Sequence, residues 1–127
     1  MIAPYMRNAN TDALEYHEVT ANEAVAYGEA LVMSSGKLTK CGATTKPTYL
    51  AAGSCAAGSA NVIPVLRVSD EVTYETALSE ASASIAKGAK YTLSSDGLKI
   101  TATTTSGVAE VVSWDGKAQG DKVRVRF

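Results

Sequence analysis

The chain has 127 residues, twelve of them basic and thirteen acidic, for a net charge of −1. That length fits one domain with its own core, and the near-neutral balance gives no electrostatic reason to expect nucleic acid or an anionic membrane as partner. With one Phe, one Trp and six Tyr against a background of Ala, Ser, Thr and Val, each strand buries modest area at roughly 25 cal/mol per Å², so self-association or docking on a larger surface is expected.

Residues 1 to 17 scatter Ile2, Tyr5, Met6, Leu14 and Tyr16 among Asn, Asp and Arg7 without helical or strand period. This predicts an extended N-terminal arm, either loosely packed or ordered against a partner, ahead of a single β domain at 18 to 127. No stretch is long and apolar enough for a membrane span, and the start lacks the pattern of a secretory leader. His17, the single histidine, falls in the arm without a paired motif that would define a triad or a metal site. Thr20-Ala-Asn-Glu23 has the form of a capping box, compatible with one helical turn over Ala24–Tyr27 or with a turn into a strand.

A glycine-led hairpin then appears twice, sixty positions apart: Gly28-Glu-Ala-Leu-Val-Met-Ser-Ser-Gly36-Lys-Leu38 and Gly88-Ala-Lys-Tyr-Thr-Leu-Ser-Ser-Asp-Gly97-Leu98. In the first, a Ser35-Gly36 loop pairs Met33 with Leu38, and Ala30 and Val32 make the opposite face apolar too, so this strand is expected to be covered on both sides. In the second, Asp96-Gly97 as a type I′ loop places Leu93 opposite Ile100 and Tyr91 opposite Ala102 on a core face. Lys90, Thr92, Lys99, Thr101 and Thr103 then take the wet face. Residues 22 to 67 and 82 to 127 align at this offset as two quasi-repeated halves.

Between the hairpins, Val62–Val68 reads as a buried strand in which Pro64, having no N–H, must sit at a bulge or edge. Val72–Thr76 alternates, and Ala77–Ala86, rich in Ala and Ser, reads as a loop or edge excursion, with a weak helix as the alternative. Val108–Trp114 is a strand, followed by an Asp115-Gly116 turn. In the last strand Val123, Val125 and Phe127 alternate with Lys122, Arg124 and Arg126. The three cations read as a guard against edge-to-edge pairing rather than as a phosphate site. Cys41 and Cys55 match neither zinc nor redox spacing, and free thiols are the plainer reading, with a disulfide as the alternative. The predicted fold is therefore all-β, a small barrel or sandwich of antiparallel hairpins.

No residue pattern defines a catalytic, cofactor or metal site. At Tyr27-Gly-Glu-Ala-Leu-Val32, Gly36-Lys-Leu-Thr-Lys40, Thr44-Thr-Lys-Pro-Thr-Tyr49 and Ile63-Pro-Val-Leu-Arg-Val68, continuing through Ser95-Asp-Gly97, Gly107-Val-Ala-Glu-Val-Val112 and Gly120-Asp-Lys-Val-Arg-Val125, the chain resembles head-decoration (capsid cement) proteins of tailed bacteriophages. The resemblance implies a non-enzymatic virion protein, without cofactor, that binds the major capsid protein on the outer surface of the head, often as a dimer or trimer, and stabilises the lattice. Ile2, Tyr5, Met6, Arg7, Leu14 and Tyr16 are the expected capsid contacts, and loss of residues 1 to 17 is expected to weaken attachment while leaving the β body folded. Two alternatives stand beside it: a carbohydrate-binding sandwich using Trp114, Tyr49, Tyr74 and Tyr91, and a lipoyl- or biotin-type carrier modified at Lys37.

Overall fold

The structure is a computed structural model and describes residues 1–6 and 13–127. It is all-β, with no helix among the described residues. Ten strands run in chain order: β1 Ile2–Met6, β2 Glu15–Glu18, β3 Ala30–Ser34, β4 Lys37–Lys40, β5 Tyr49–Ala51, β6 Val62–Arg67, β7 Val72–Ala77, β8 Lys90–Tyr91, β9 Ala109–Trp114 and β10 Lys122–Arg126. They form two antiparallel sheets, ordered β2-β6-β5-β3-β4 and β1-β7-β10-β9-β8. Neither sheet closes into a barrel. Each rolls far enough for one isolated parallel bridge, Val19 to Leu38 in the first and Leu78 to Ile100 in the second.

Strand β3 shows why two layers form. Leu31 joins Val19, Val25, Leu38, Tyr49, Ala51, Ile63 and Val65 in the core of the first sheet. Ala30 and Leu50 point the opposite way and enter the core of the second sheet, with Tyr74, Leu78, Leu93, Ile100, Val111, Val123 and Val125. Period-two alternation with both faces apolar therefore makes one strand a shared wall between two cores. The segment over Ala77–Ala86 is a loop after the end of β7, pinned by buried Leu78, Ser82 and Ile85.

The two sheets repeat one another. Ala30↔Leu50 and Leu31↔Tyr49 recur as Lys90↔Glu110 and Tyr91↔Ala109, while Leu50↔Leu66 and Ala51↔Val65 recur as Glu110↔Arg126 and Val111↔Val125. Bonds outside the ladders follow suit: Gly28 N–H donates to Ala51 O and Gly88 N–H to Val111 O, both at 2.8 Å. The leading strands match at fifty-nine instead, since Glu15↔Val65 corresponds to Tyr74↔Val125. Strand β1 has no counterpart in the first sheet among the described residues.

Both hairpins keep their expected central pairs, Met33↔Leu38 and Leu93↔Ile100. The first turn is the expected Ser35-Gly36 loop, and the second differs from expectation. Ser35 and Gly36 have φ of 50° and 76°, so the type I′ loop belongs to the first hairpin. In the second, Asp96 keeps a negative φ because its carboxylate accepts from Ser94 Oγ and from Leu98 N–H at 3.0 Å, and Gly97 N–H closes the turn on Ser94 O. The loop is two residues longer, and Tyr91 pairs with Ala109 instead of Ala102. Thr92 leaves the wet face, 5% exposed, with its hydroxyl 2.6 Å from that of Thr101.

Four further expectations are corrected. Pro64 lies in an inner strand, where its C=O accepts from Ala52 N–H just past the end of β5; its ring ends that ladder rather than marking an edge. Strand β6 is not buried throughout, because Val62 is 60% exposed. Strand β10 lies between β7 and β9, so its cations guard no edge. Much of the predicted arm is part of the body: β1 pairs with β7 and β2 with β6. Deleting residues 1 to 17 removes β1 and most of β2, and with them an edge of each sheet. The Thr20–Tyr27 segment is a set of turns, with Val25 bridged to Cys55.

The two halves meet where Ala30 N–H donates to Gly97 O at 2.9 Å and Leu93 N–H to Ala43 O at 2.9 Å. A Cβ on Gly97 would stand 3.2 Å from Ala30 N and 3.3 Å from Ala30 O, whereas one on Gly36 meets no described heavy atom within 4 Å. Gly36→Ala is expected to cost about 1 kcal/mol through its left-handed backbone alone, and Gly97→Ala about 2–3 kcal/mol by adding a clash at the joint. Urea unfolding of the two variants measures the difference.

Candidate partner-contact surface

The internal repeat allows one outer sheet face to be compared with another on the same chain. On the second sheet, the face of β7, β9 and β10 turned away from the core is charged and internally neutralised. Arg124 reaches Glu75 at 3.2 Å and Asp115 at 2.6 Å, Lys122 reaches Glu75 at 3.5 Å, and Arg126 reaches Glu110 at 3.8 Å. The guanidinium of Arg124 holds the Asp115 carboxyl below its ordinary range. An open depression of about 380 Å³ on this face is lined by Thr73, Val112, Ser113 and Arg124.

On the first sheet the matching positions are apolar. Where Glu75 faces Arg124, Tyr16 faces Pro64; where Glu110 faces Arg126, Leu50 faces Leu66; where Lys122 stands, Val62 stands. Exposure rises outward along this face. Leu50 is buried in the joint between the halves, Leu66 and Pro64 are half-buried, and Val62 and Tyr16 are 60% and 64% exposed. Leu14, two residues before Tyr16, is also exposed. A strip of large apolar side chains thus runs from the interface between the sheets into solvent, which makes it the candidate contact surface.

The opposite face of β2 is polar. Arg67 donates to Glu15 from Nε at 2.9 Å and from Nη2 at 3.0 Å, and also to the Tyr49 hydroxyl at 2.9 Å. Its guanidinium lies 4.9 Å from the Tyr49 ring centroid. His17 Nε2 is 3.0 Å from Glu15, and its ring lies 5.3 Å from that of Tyr49. The bidentate guanidinium, followed by His17, holds the Glu15 carboxyl below its ordinary value of 4.5. These groups satisfy one another, and Glu18, opposite Val62 on the strip's own face, is paired with Lys37 at 3.1 Å.

Of the residues expected to meet a partner, Leu14 and Tyr16 lie on the strip. Ile2, Tyr5 and Met6 are brought instead to the edge of the second sheet, in register with Glu75, Thr73 and Val72. Arg7 lies outside the described residues. Sequence reasoning missed Val62, Pro64 and Leu66. Their signal was the alignment at sixty, which sets them against Lys122, Arg124 and Arg126.

The aromatic residues of the carbohydrate alternative are placed differently: Tyr49, Tyr74 and Tyr91 are buried, and Trp114 packs on the core of the second sheet. Lys37 pairs with Glu18 at 3.1 Å. Glu29, a buried carboxylate, accepts from Ala26 N–H at 2.9 Å and from Lys40 Nζ at 3.2 Å. Among the described residues, no three His, Cys, Asp or Glu side chains cluster as metal ligands. Both cysteines are free thiols; burial pushes Cys41 up to about 11, and it donates to Thr45 O at 2.8 Å. No protein-family model matches the chain, and no curated protein matches it significantly.

Because the folded-state pKa of Glu15 is depressed, its contribution to stability is complete above its ordinary value and is lost as pH falls through the lowered one. An NMR titration of the Glu15 side-chain carbon is expected to show a midpoint below 4.5 that moves up in Arg67→Gln. A thiol-labelling time course at pH 8 is expected to modify half-buried Cys55 well before Cys41.

Proposed function

We propose that this chain is a non-enzymatic structural protein of a tailed-phage virion, which binds the outer surface of the capsid and stabilises the head lattice. The observation that carries the reading is the exposed Leu14–Tyr16–Val62 strip, apolar at positions where the second half of the same chain carries compensated charges. The sequence resemblance to head-decoration proteins supplies the kind of surface to be gripped, with the major capsid protein as partner. Self-assembly into a dimer or trimer on the lattice belongs to the same proposal. Two rolled sheets sharing a wall form a stiff body, and affinity then comes from desolvating a few large side chains in a largely neutral contact.

Co-sedimentation with undecorated capsids tests it. The double substitution Tyr16→Ser and Val62→Ser is expected to weaken binding by more than about tenfold, since each loses roughly 1 kcal/mol or more of buried contact. Both side chains are exposed in the free protein, so its melting temperature should hardly move. Capsid binding unchanged in this variant, or absent in the unaltered chain, counts against the proposal.

A further inference from the structure

We infer that the free edge of β2, at Leu14 and Tyr16, accepts an extended, uncharged, antiparallel strand from a partner polypeptide, in the place that β1 occupies on β7. The inference deepens the proposed function and rests on it only for the partner's identity. Its basis is the match at fifty-nine between the leading strands. Val19 N–H donates to Asn61 O at 2.8 Å and Leu78 N–H to Asp121 O at 3.0 Å, and each residue makes the parallel bridge of its sheet. By the same offset Leu14 corresponds to Thr73 and Tyr16 to Glu75, the two residues that face Tyr5 and Ile2 of β1.

Backbone direction agrees. Val19 turns its N–H toward the β6 side, so by alternation Glu15 and His17 do the same, while the peptide groups of Leu14 and Tyr16 point to the other edge. Strand β4 reaches that edge at its far end, where Thr20 N–H donates to Leu38 O at 2.9 Å, and among the described residues no strand pairs with it at Leu14 and Tyr16. A sheet edge left open beside exposed apolar side chains is the setting in which an added strand gains main-chain hydrogen bonds and side-chain contact together.

Charge selects the occupant. Glu15 is held by Arg67 and Glu18 by Lys37, so the edge offers no uncompensated charge, and the flanking surface is Leu14, Tyr16, Val62 and Pro64. An uncharged segment fits, as Ile2-Ala-Pro-Tyr-Met6 does on the second sheet. The apolar strip also continues from the joint between the halves, so the added strand would extend a contact the chain already makes with itself.

The test uses the full chain, isotope-labelled, titrated with the synthetic hexapeptide Met-Ile-Ala-Pro-Tyr-Met. Saturable shifts of the Leu14 and Tyr16 amides, with their hydrogen exchange slowed at least about tenfold, are expected. The inference is overturned if those amides do not respond, if they are already protected in the free chain, or if only Thr73 and Glu75 respond. Hydrogen exchange of the chain on undecorated capsids separates the two readings. Capsid binding with Leu14 and Tyr16 unprotected overturns strand addition and leaves decoration standing; peptide protection without capsid binding does the reverse.

Discussion

Burial of β3 and β5 from both sides is the constraint on which the rest of the molecule depends. Leu31 and Ala30 are neighbours on one strand, both fully buried, and they belong to different cores. An ordinary surface sheet needs one apolar face. Here the wall between two rolled sheets needs two, so the first half carries apolar residues on its outer face by necessity. The second half has no such duty on its own outer face, and there the same positions carry Arg126 paired with Glu110 and Arg124 paired with Glu75.

This asymmetry gives the contact strip its meaning. Near the wall, Leu50 is explained by packing between the halves, and Leu66, its cross-strand partner, is half-buried beside it. Beyond the wall, at Val62 and Tyr16, packing within the chain no longer explains the choice, because these side chains stand in solvent. Scattered exposed hydrophobics are ordinary on protein surfaces. A contiguous set on two adjacent strands, set against a charged version of the same surface on the same chain, is more informative.

Much of the architecture was legible in the sequence because period-two alternation and turn residues encode it locally. The pairs Met33↔Leu38 and Leu93↔Ile100, the covered β3, the alternating β7 and the loop after it all follow from short windows. What was not legible depends on distant neighbours. Whether Lys122, Arg124 and Arg126 guard an edge or pair with Glu75, Asp115 and Glu110 is settled by strand order, which no local pattern carries. Pro64 was misplaced for the same reason, since the ladder it ends belongs to β5. The Asp96-Gly97 turn failed differently: a carboxylate bond to the backbone outweighed the usual preference of that dipeptide. For the contact surface, Leu14 and Tyr16 were visible as surplus apolar residues, whereas Val62 was hidden inside a run that looked uniformly buried.

The placement of β1 carries a further consequence. This strand precedes the whole first sheet yet completes the sheet of the second half, through β7, more than sixty residues downstream. As the polypeptide leaves the ribosome, the first sheet has all its strands before β7 exists, while the leading segment must wait for its acceptor. Closure of the second sheet is thus a long-range event, of the kind that slows the folding of β proteins, and it ties a segment made before the first sheet to one made after it.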